Sequence, residues 1–331
     1  MKRRSYLATL IAATWALVCC AALGTAHAEN AADWPTHPIR IVVTVPAGGP
    51  QDIQARVNAQ ILSQAFGVGV VVENKPGGTG VLGVNYVAHA RPDGYTLLAG
   101  TIGPIVAAPA LNKSLPYAPL KDLAPITIAA NYPLVILVSE HSRFHTFKEL
   151  VEAAKARPDT ISLGLLRGSS PHFLLEKLRE TTGAKFLYIP YAGGNAPVTE
   201  VMAGHIEVYL TNTPGVVSLI RDGQIRALAI EGAHRAKALP EVPTLTELGY
   251  PNVEINGGWQ ALLAPAGTPT AIINRLHDAL VAGLQAPDIK AGIEQNGGHL
   301  VLNSPQAFGA YLQAATPAIT ELARRGGIEP Q

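Results

Sequence analysis

Residues 39–66 read IRIVVTVPAGGPQDIQARVNAQILSQAF, and this stretch decides the fold. The β-branched run IRIVVTV reads as a buried strand. Ile53, Val57, Ile61 and Ala65 then recur at helical spacing, with Asp52 placed as an N-cap. Two glycines bracketed by prolines, in VPAGGPQD at 45–52, therefore sit where a strand hands over to a helix. The question is what such a turn holds: a phosphate, a nucleophile or something simpler.

The same alternation continues outward. VGVVVEN reads as a strand, TGVLGVNYVAHA as a helix and YTLLAG as a strand, a β-α-β-α-β order that implies a parallel sheet with helices on both faces. ITIAANYPLVILVS is too long for one ordinary strand. It reads as a crossing that breaks near Tyr132-Pro133 and enters a second lobe. There TFKELVEAAKAR, SPHFLLEKLRETTG and APVTEVMAG are helical patterns between the strands ISLGL, FLYIPY, IEVYLTN and IRALAI. GWQALLAPAGTP is the return crossing, followed by two helical patterns with GGHLVL between them. The expected architecture is an α/β clamshell of parallel sheets flanked by helices: lobe A at 32–131 plus 257–331, lobe B inserted at 132–256. In open parallel sheets a ligand sits beyond the carboxyl ends of the strands. Five loops share that address: 45–52, 76–80, 100–104, 165–172 and 191–197.

The first residues indicate the compartment. Lys2, Arg3 and Arg4 precede an apolar stretch and TAHA, the pattern of a secretory signal peptide at 1–28 cleaved after Ala28. The protein is thus expected in the periplasm. Its removal moves the formal net charge from +1 to −2 and takes away Cys19 and Cys20, so no disulfide is expected in the mature chain. A near-neutral chain without a basic run argues against nucleic acid, and low aromatic content without a polybasic helix argues against a membrane surface.

Glycine-rich turns at helix starts make anion sites from backbone N–H groups and the helix dipole, without a charged side chain. PAGGPQD, KPGGTG and RGSSPH all fit, although Gly-Gly before a helix is also an ordinary tight turn. Nucleotide readings fail on detail: there is no G-x-x-x-x-G-K-[ST], and PAGGPQD is not G-x-G-x-x-G. Gly-x-Ser-x-Gly is absent too. Ser169-Ser170 reads as a cap, with His172 unplaced relative to it and no orienting acid, so no catalytic residue is assigned. His141 and His145 stand i,i+4 apart but lack a third ligand, so no metal or other cofactor is expected.

These motifs resemble the substrate-binding proteins of tripartite tricarboxylate transporters, the Bordetella-uptake-gene type of periplasmic receptor. The matches run in order: P-x-G-G-x-x-D-x-x-A-R at Pro46–Arg56, VVENKPGGTG at 71–80, PDGYTLL-x-GT at 92–101 and LPY-x-P-x-KDL-x-P at 115–125. SPH at 170–172, PY-x-G-x-x-x-P at 190–197, RALAI and LLAPAGTP follow. The resemblance implies a type II clamshell that performs no chemistry, captures a small carboxylate and delivers it to integral-membrane permease subunits, as a monomer. It implies a ligand carboxylate on the first Gly-Gly loop, held through backbone groups and waters. The candidate ligand residues are Ala47, Gly48, Gly49, Asp52, Thr101, Arg167, Gly168, Ser169, Ser170, Gly193 and Thr211, with Asp52 capping the helix or orienting water. A sensor that signals to a membrane kinase would use the same clamshell, and neighbouring genes discriminate the two. A secreted α/β hydrolase is the remote alternative.

The chain departs from the family at three places. After GT it has IGPIVAA, where the family carries hydroxyls and an asparagine. It has GLLRGSSPH where the family tends to SSGNGTSPH, and Thr211 where an aspartate is frequent. Ile102, Pro104, Leu165 and Leu166 would penalise a second or third unpaired carboxylate and favour an apolar or aromatic body. Arg167 is the one charged candidate for a bidentate grip on a carboxylate.

Overall fold

The computed structural model describes residues 33–192, 196–251 and 253–328. The expected leader at 1–28 and Gly193 lie outside the described residues. The unit Pro35–Gln331 carries two sheets. The first half runs β1 (Ile39–Val43), α1 (Pro50–Phe66), β2 (Val70–Asn74), α2 (Val81–Ala88), β3 (Thr96–Gly100), α3 (Ala108–Leu111), α4 (Pro119–Asp122) and β4 (Leu123–Asn131). The chain then enters β5 (Leu134–Ser139), α5 (Phe147–Ala156), β6 (Ser162–Leu165), α6 (Ser170–Thr182) and β7 (Leu187–Pro190). It continues through α7 (Ala196–Met202), β8 (Val208–Asn212), α8 (Val217–Arg221) and β9 (Ile225–Ile230). It returns along β10 (Trp259–Pro265) and closes with α9 (Thr270–Leu284), α10 (Pro287–Gln295), β11 (His299–Leu300) and α11 (Pro305–Arg325).

The first sheet has the order β11-β4-β10-β3-β1-β2, the second β7-β6-β8-β5-β9. β1 is parallel to β2 and β3, and β6 is parallel to β7 and β8. The sheets are nevertheless mixed: β10 runs antiparallel to β3 and β4, and β5 antiparallel to β8 and β9. A strand that carries the chain from one sheet to the other arrives without a crossover helix, so nothing forces it parallel.

The apolar runs follow from burial on both faces. All six residues of β5 are buried, and alternate ones serve different cores. Leu134, Ile136 and Val138 pack with Phe147, Leu163 and Leu174, whereas Val135 and Leu137 pack with Val201, Val217 and Ile225. A period-2 strand between two helical layers needs an apolar side chain at every position. α5 begins at a capping box, Thr146 with Glu149, in which each side chain accepts the other residue's backbone N–H.

The C-terminal region holds one helix more than its periodicity suggests, since α10 follows α9 after a short turn with Pro287 at its first position. The two crossings are joined edge to edge. Tyr132 N–H donates to the Gly258 carbonyl at 3.0 Å, and a Cβ on Gly258 would lie 1.9 Å from the Tyr132 carbonyl oxygen. The Tyr132 hydroxyl, in turn, donates to Gln54 Oε1 on α1 at 2.6 Å.

Candidate functional site

β1 ends at Val43, and the chain passes through the Gly-Gly turn to the N-terminus of α1. The helix starts three residues earlier than Asp52 would set it: Gly49 is the N-cap and Pro50 the first helical residue. Asp52 therefore does not cap by position. Its carboxylate reaches back, accepting from Gly48 N–H at 3.0 Å and from Arg56 Nε at 2.9 Å through one oxygen. The other oxygen accepts from Arg56 Nη2 and Asn74 Nδ2, both at 3.0 Å. Burial alone would raise this carboxyl's pKa, but these hydrogen bonds and the Arg56 charge outweigh burial and hold it below the usual aspartate range. Asp52 is thus the brace of a turn in which Gly48 sits at φ +86°, a left-handed conformation that costs glycine little.

Beside that turn, the Thr44 hydroxyl donates to Gln51 Oε1 at 3.1 Å, and Gln51 Nε2 donates to the Ala99 carbonyl at 2.6 Å. The ends of β1 and β3 are thereby tied to the first turn of α1. After β3, Thr101 leads into a wide turn at Gly103–Ala107, fixed where the Tyr117 hydroxyl donates to the Pro104 carbonyl at 2.7 Å.

The second sheet contributes the turn from β6 to α6. Ser169 occupies the N-cap position without capping: its hydroxyl donates backwards to the Leu166 carbonyl at 2.6 Å. Gly168 N–H donates to His172 Nδ1 at 3.0 Å. Burial first, and the Arg167 charge second, lower the His172 pKa to about 4. A neutral ring accepting at Nδ1 carries its proton on Nε2, which lies 4.0 Å from Glu176. Neither ring nitrogen is thereby available as a base for Ser170.

These elements meet around a cavity of about 100 Å³. Thr44, Val45, Gly49–Gln51, Thr79 and Thr101–Pro104 line it from the first sheet's loops, and Leu166–Pro171 and Tyr209–Asn212 line it from the second. Gly257 and Gln260, on the return crossing, complete it. The N-termini of α1 and α6 thus approach the cavity from the two sheets. The opposing rims touch: a Cβ on Gly103 would lie 3.1 Å from the Gly168 carbonyl oxygen, and one on Gly257 3.0 Å from Ser170 Cβ. Among the described lining residues Arg167 carries the only ionised side chain, and it also borders an outer groove with Leu165, His172 and Glu176.

Of the residues singled out from sequence, Gly49, Thr101, Arg167, Gly168, Ser169, Ser170 and Thr211 line the cavity. Ala47, Gly48 and Asp52 do not: Ala47 is exposed, Gly48 is half-buried with its carbonyl toward Gly215, and Asp52 is buried behind the loop it braces. Leu165 faces the outer groove, while Ile102, Pro104 and Leu166 face the cavity. The loop at 191–197 adds no lining residue among those described. Sequence reasoning missed Thr44, Gln51, Asn212 and Gln260. Thr44, Asn212 and Gln260 are polar residues within or at the end of an apolar run, which was the available signal, and Gln51 lies in the 45–52 loop already singled out.

Residues 54–326 match the family model described as tripartite tricarboxylate transporter family receptor. Protein BugT of Bordetella pertussis is 35% identical over 294 residues, 88% of this chain and 90% of that protein. The structure of R. palustris Rpa4515 with adipate superposes with a TM-score of 0.85 at 30% identity, covering 90% of this chain and all of that one. MatC from Rhodopseudomonas palustris with bound malate gives 0.80 at 25% identity, covering 87% and 99%.

Proposed function

The chain belongs to the tripartite tricarboxylate transporter receptor family of periplasmic solute-binding receptors, and on that premise we propose that it captures a small carboxylate between its two sheets and presents it to a membrane permease. The observation that carries this reading is the cavity's charge: one cation, Arg167, no acidic side chain among the described lining residues, and two helix N-termini converging on it. A carboxylate is stabilised by such dipoles and by a guanidinium fork. The two solved relatives that hold adipate and malate support the same ligand class. The lobes at 32–131 plus 257–331 and at 132–256 act as hinged bodies, and the two tied crossings support that division.

Ile102, Pro104 and Leu166 favour a carboxylate with an apolar portion, at about 25 cal/mol for each Å² removed from water. The protein performs no chemistry on what it binds. The neutral, committed His172 beside Ser170 supports that view. Calorimetric titration with citrate, glutamate, adipate and an aromatic carboxylate tests the reading. Binding of adipate or the aromatic acid, weakened by Arg167→Gln and accompanied by compaction in solution scattering, is expected. Tight citrate or glutamate binding with no response to the others overturns the ligand class, and turnover of a bound ester overturns the receptor.

A further inference from the structure

Tyr132 stands at the break between β4 and β5 and is 2% exposed, and each of its polar groups is held by a different element. Its N–H donates to the Gly258 carbonyl at 3.0 Å, at the start of the return crossing. Its carbonyl accepts from Asn212 Nδ2, at the end of β8, at 2.7 Å. Its hydroxyl donates to Gln54 Oε1 on α1 at 2.6 Å, and Gln54 Nε2 extends the chain by donating to Asn58 Oδ1 at 2.9 Å. Both α1 residues are buried, so water offers these groups no substitute. The ring has little freedom, because a Cβ on Gly298 would lie 2.4 Å from Tyr132 Cε1.

Packing alone does not call for this chain. A helix laid on a sheet ordinarily buries an apolar stripe, yet α1 buries Gln51, Gln54 and Asn58 beside Ala55, Ile61 and Leu62. A buried polar network whose members are satisfied fixes one arrangement where an apolar contact tolerates several. The arrangement fixed here is that of the cavity. Gly49, Pro50 and Gln51, one turn before Gln54, line it from α1, and Thr211 and Asn212 line it from β8. Two hydrogen bonds through Tyr132 join those walls, while Tyr132 is not among the described lining residues.

We infer that Tyr132 is a positioning residue: it sets the gap between the N-terminus of α1 and the end of β8, and so holds the cavity at binding width without touching what the cavity holds. This role rests on the hinged-receptor reading above and deepens it. Gln54 belongs to one proposed lobe and Asn212 to the other, so a change of angle between the lobes strains one of the two bonds. The pair therefore favours the narrow arrangement, in which the rims meet, over wider ones. Losing one hydrogen bond changes such a ratio by roughly fivefold.

Distances between spin labels, read without ligand, test this. Cys19 and Cys20 both fall in the expected leader, so labels attach only where cysteine is introduced. Leu82→Cys on α2 and Thr199→Cys on α7 use exposed positions that follow the rim loops at 76–80 and 191–197. Tyr132→Phe keeps the ring and both backbone bonds and removes only the hydroxyl. Relative to the unaltered protein it should move the ratio of short to long separations roughly fivefold toward long, and weaken adipate binding by up to the same factor. Asn58→Ala breaks the same polar chain beyond Tyr132 and serves as the control for a merely structural role. It should lower the melting temperature while leaving the separations and the adipate affinity as they were. If Tyr132→Phe does not fold, Gln54→Met, which removes the acceptor instead, decides by the same measurement. Unchanged separations in the folded variant overturn the inference, as does an equal shift in Asn58→Ala, which would mark a general loosening. Failure of adipate to bind the unaltered protein counts against the ligand class, and the separations still decide the role of Tyr132.

Discussion

Replacing Gly103 by alanine separates closure from folding. Gly103 lies on the turn after β3, and its added Cβ would stand 3.1 Å from the carbonyl oxygen of Gly168, which belongs to the opposite rim. That spacing is a few tenths of an ångström inside ordinary contact, so the rims must part slightly or strain. Overpacking of this kind costs about 1–2 kcal/mol, and it acts only where the rims meet. The Gly103 backbone is not left-handed, so alanine fits the open form and even narrows the unfolded ensemble, by about 0.4–1 kcal/mol. A carboxylate that binds by closing the rims should therefore bind roughly 5- to 30-fold more weakly, while the ligand-free melting temperature stays level or rises. Gly292→Ala, in α10 with nothing within 4 Å of its Cβ, is the control. It should leave affinity alone and stabilise by about 0.8–1 kcal/mol through helix propensity. Calorimetry gives the affinities, thermal melts the stabilities, and solution scattering the compaction. Unchanged affinity in a folded Gly103→Ala protein, or a fall in ligand-free stability as large as the loss of binding, refutes the reasoning.

Asp52→Asn turns an amide donor toward the N–H groups of Gly48, Arg56 and Asn74, and should cost about 2–3 kcal/mol in urea unfolding. The depressed Asp52 pKa stabilises the unaltered protein above the ordinary aspartate range, and that contribution is lost as pH falls through the folded value, whereas the Asn variant should lack the loss. His172 is held neutral down to about 4, so the unfolded chain, titrating near 6.5, binds the extra proton between those values. Stability from this group is complete above pH 6.5 and should fall by up to roughly 3 kcal/mol by pH 4; His172→Asn, which keeps an acceptor for Gly168, should flatten that part of the melting-temperature profile. Intact-mass measurement of the secreted protein should give an N-terminus at Glu29, and retention of residues 1–28 would contradict the leader.

The strand-to-helix order was legible because residues buried on both faces must be apolar, as Leu134 to Val138 of β5 are. Strand direction was not. LVILVS reads the same whichever way its neighbours run, and only the connection tells β5 that it is antiparallel. The helix boundary at Asp52 was misplaced because an acid in the first turn resembles a cap. Pro50, which suits a first helical position and little else in a helix, marked the true start. The site was legible where glycine or serine punctuates a turn, as at Gly49 and Gly168–Ser170. It was hidden where a polar residue is embedded in an apolar strand, as Gln260 is, because the run reads as core. The apolar segment after Thr101 was only half a lining. Ile102 and Pro104 face the cavity, and Ile105 and Val106 sink into the core.

The bond between Tyr132 and Gly258 makes the two crossings a single ribbon, and a ribbon is an anisotropic spring. Its strands cannot slide past each other without breaking that bond, and with no room beside Gly258 they cannot pinch closer. Stretching and shearing are therefore stiff, and bending across the ribbon's width is the soft direction. A body with one soft direction has one mechanical coordinate. On the hinged-receptor reading proposed above, the spacing of the rims would report a single variable, full or empty, and a permease that measured that spacing would read occupancy without touching the cargo.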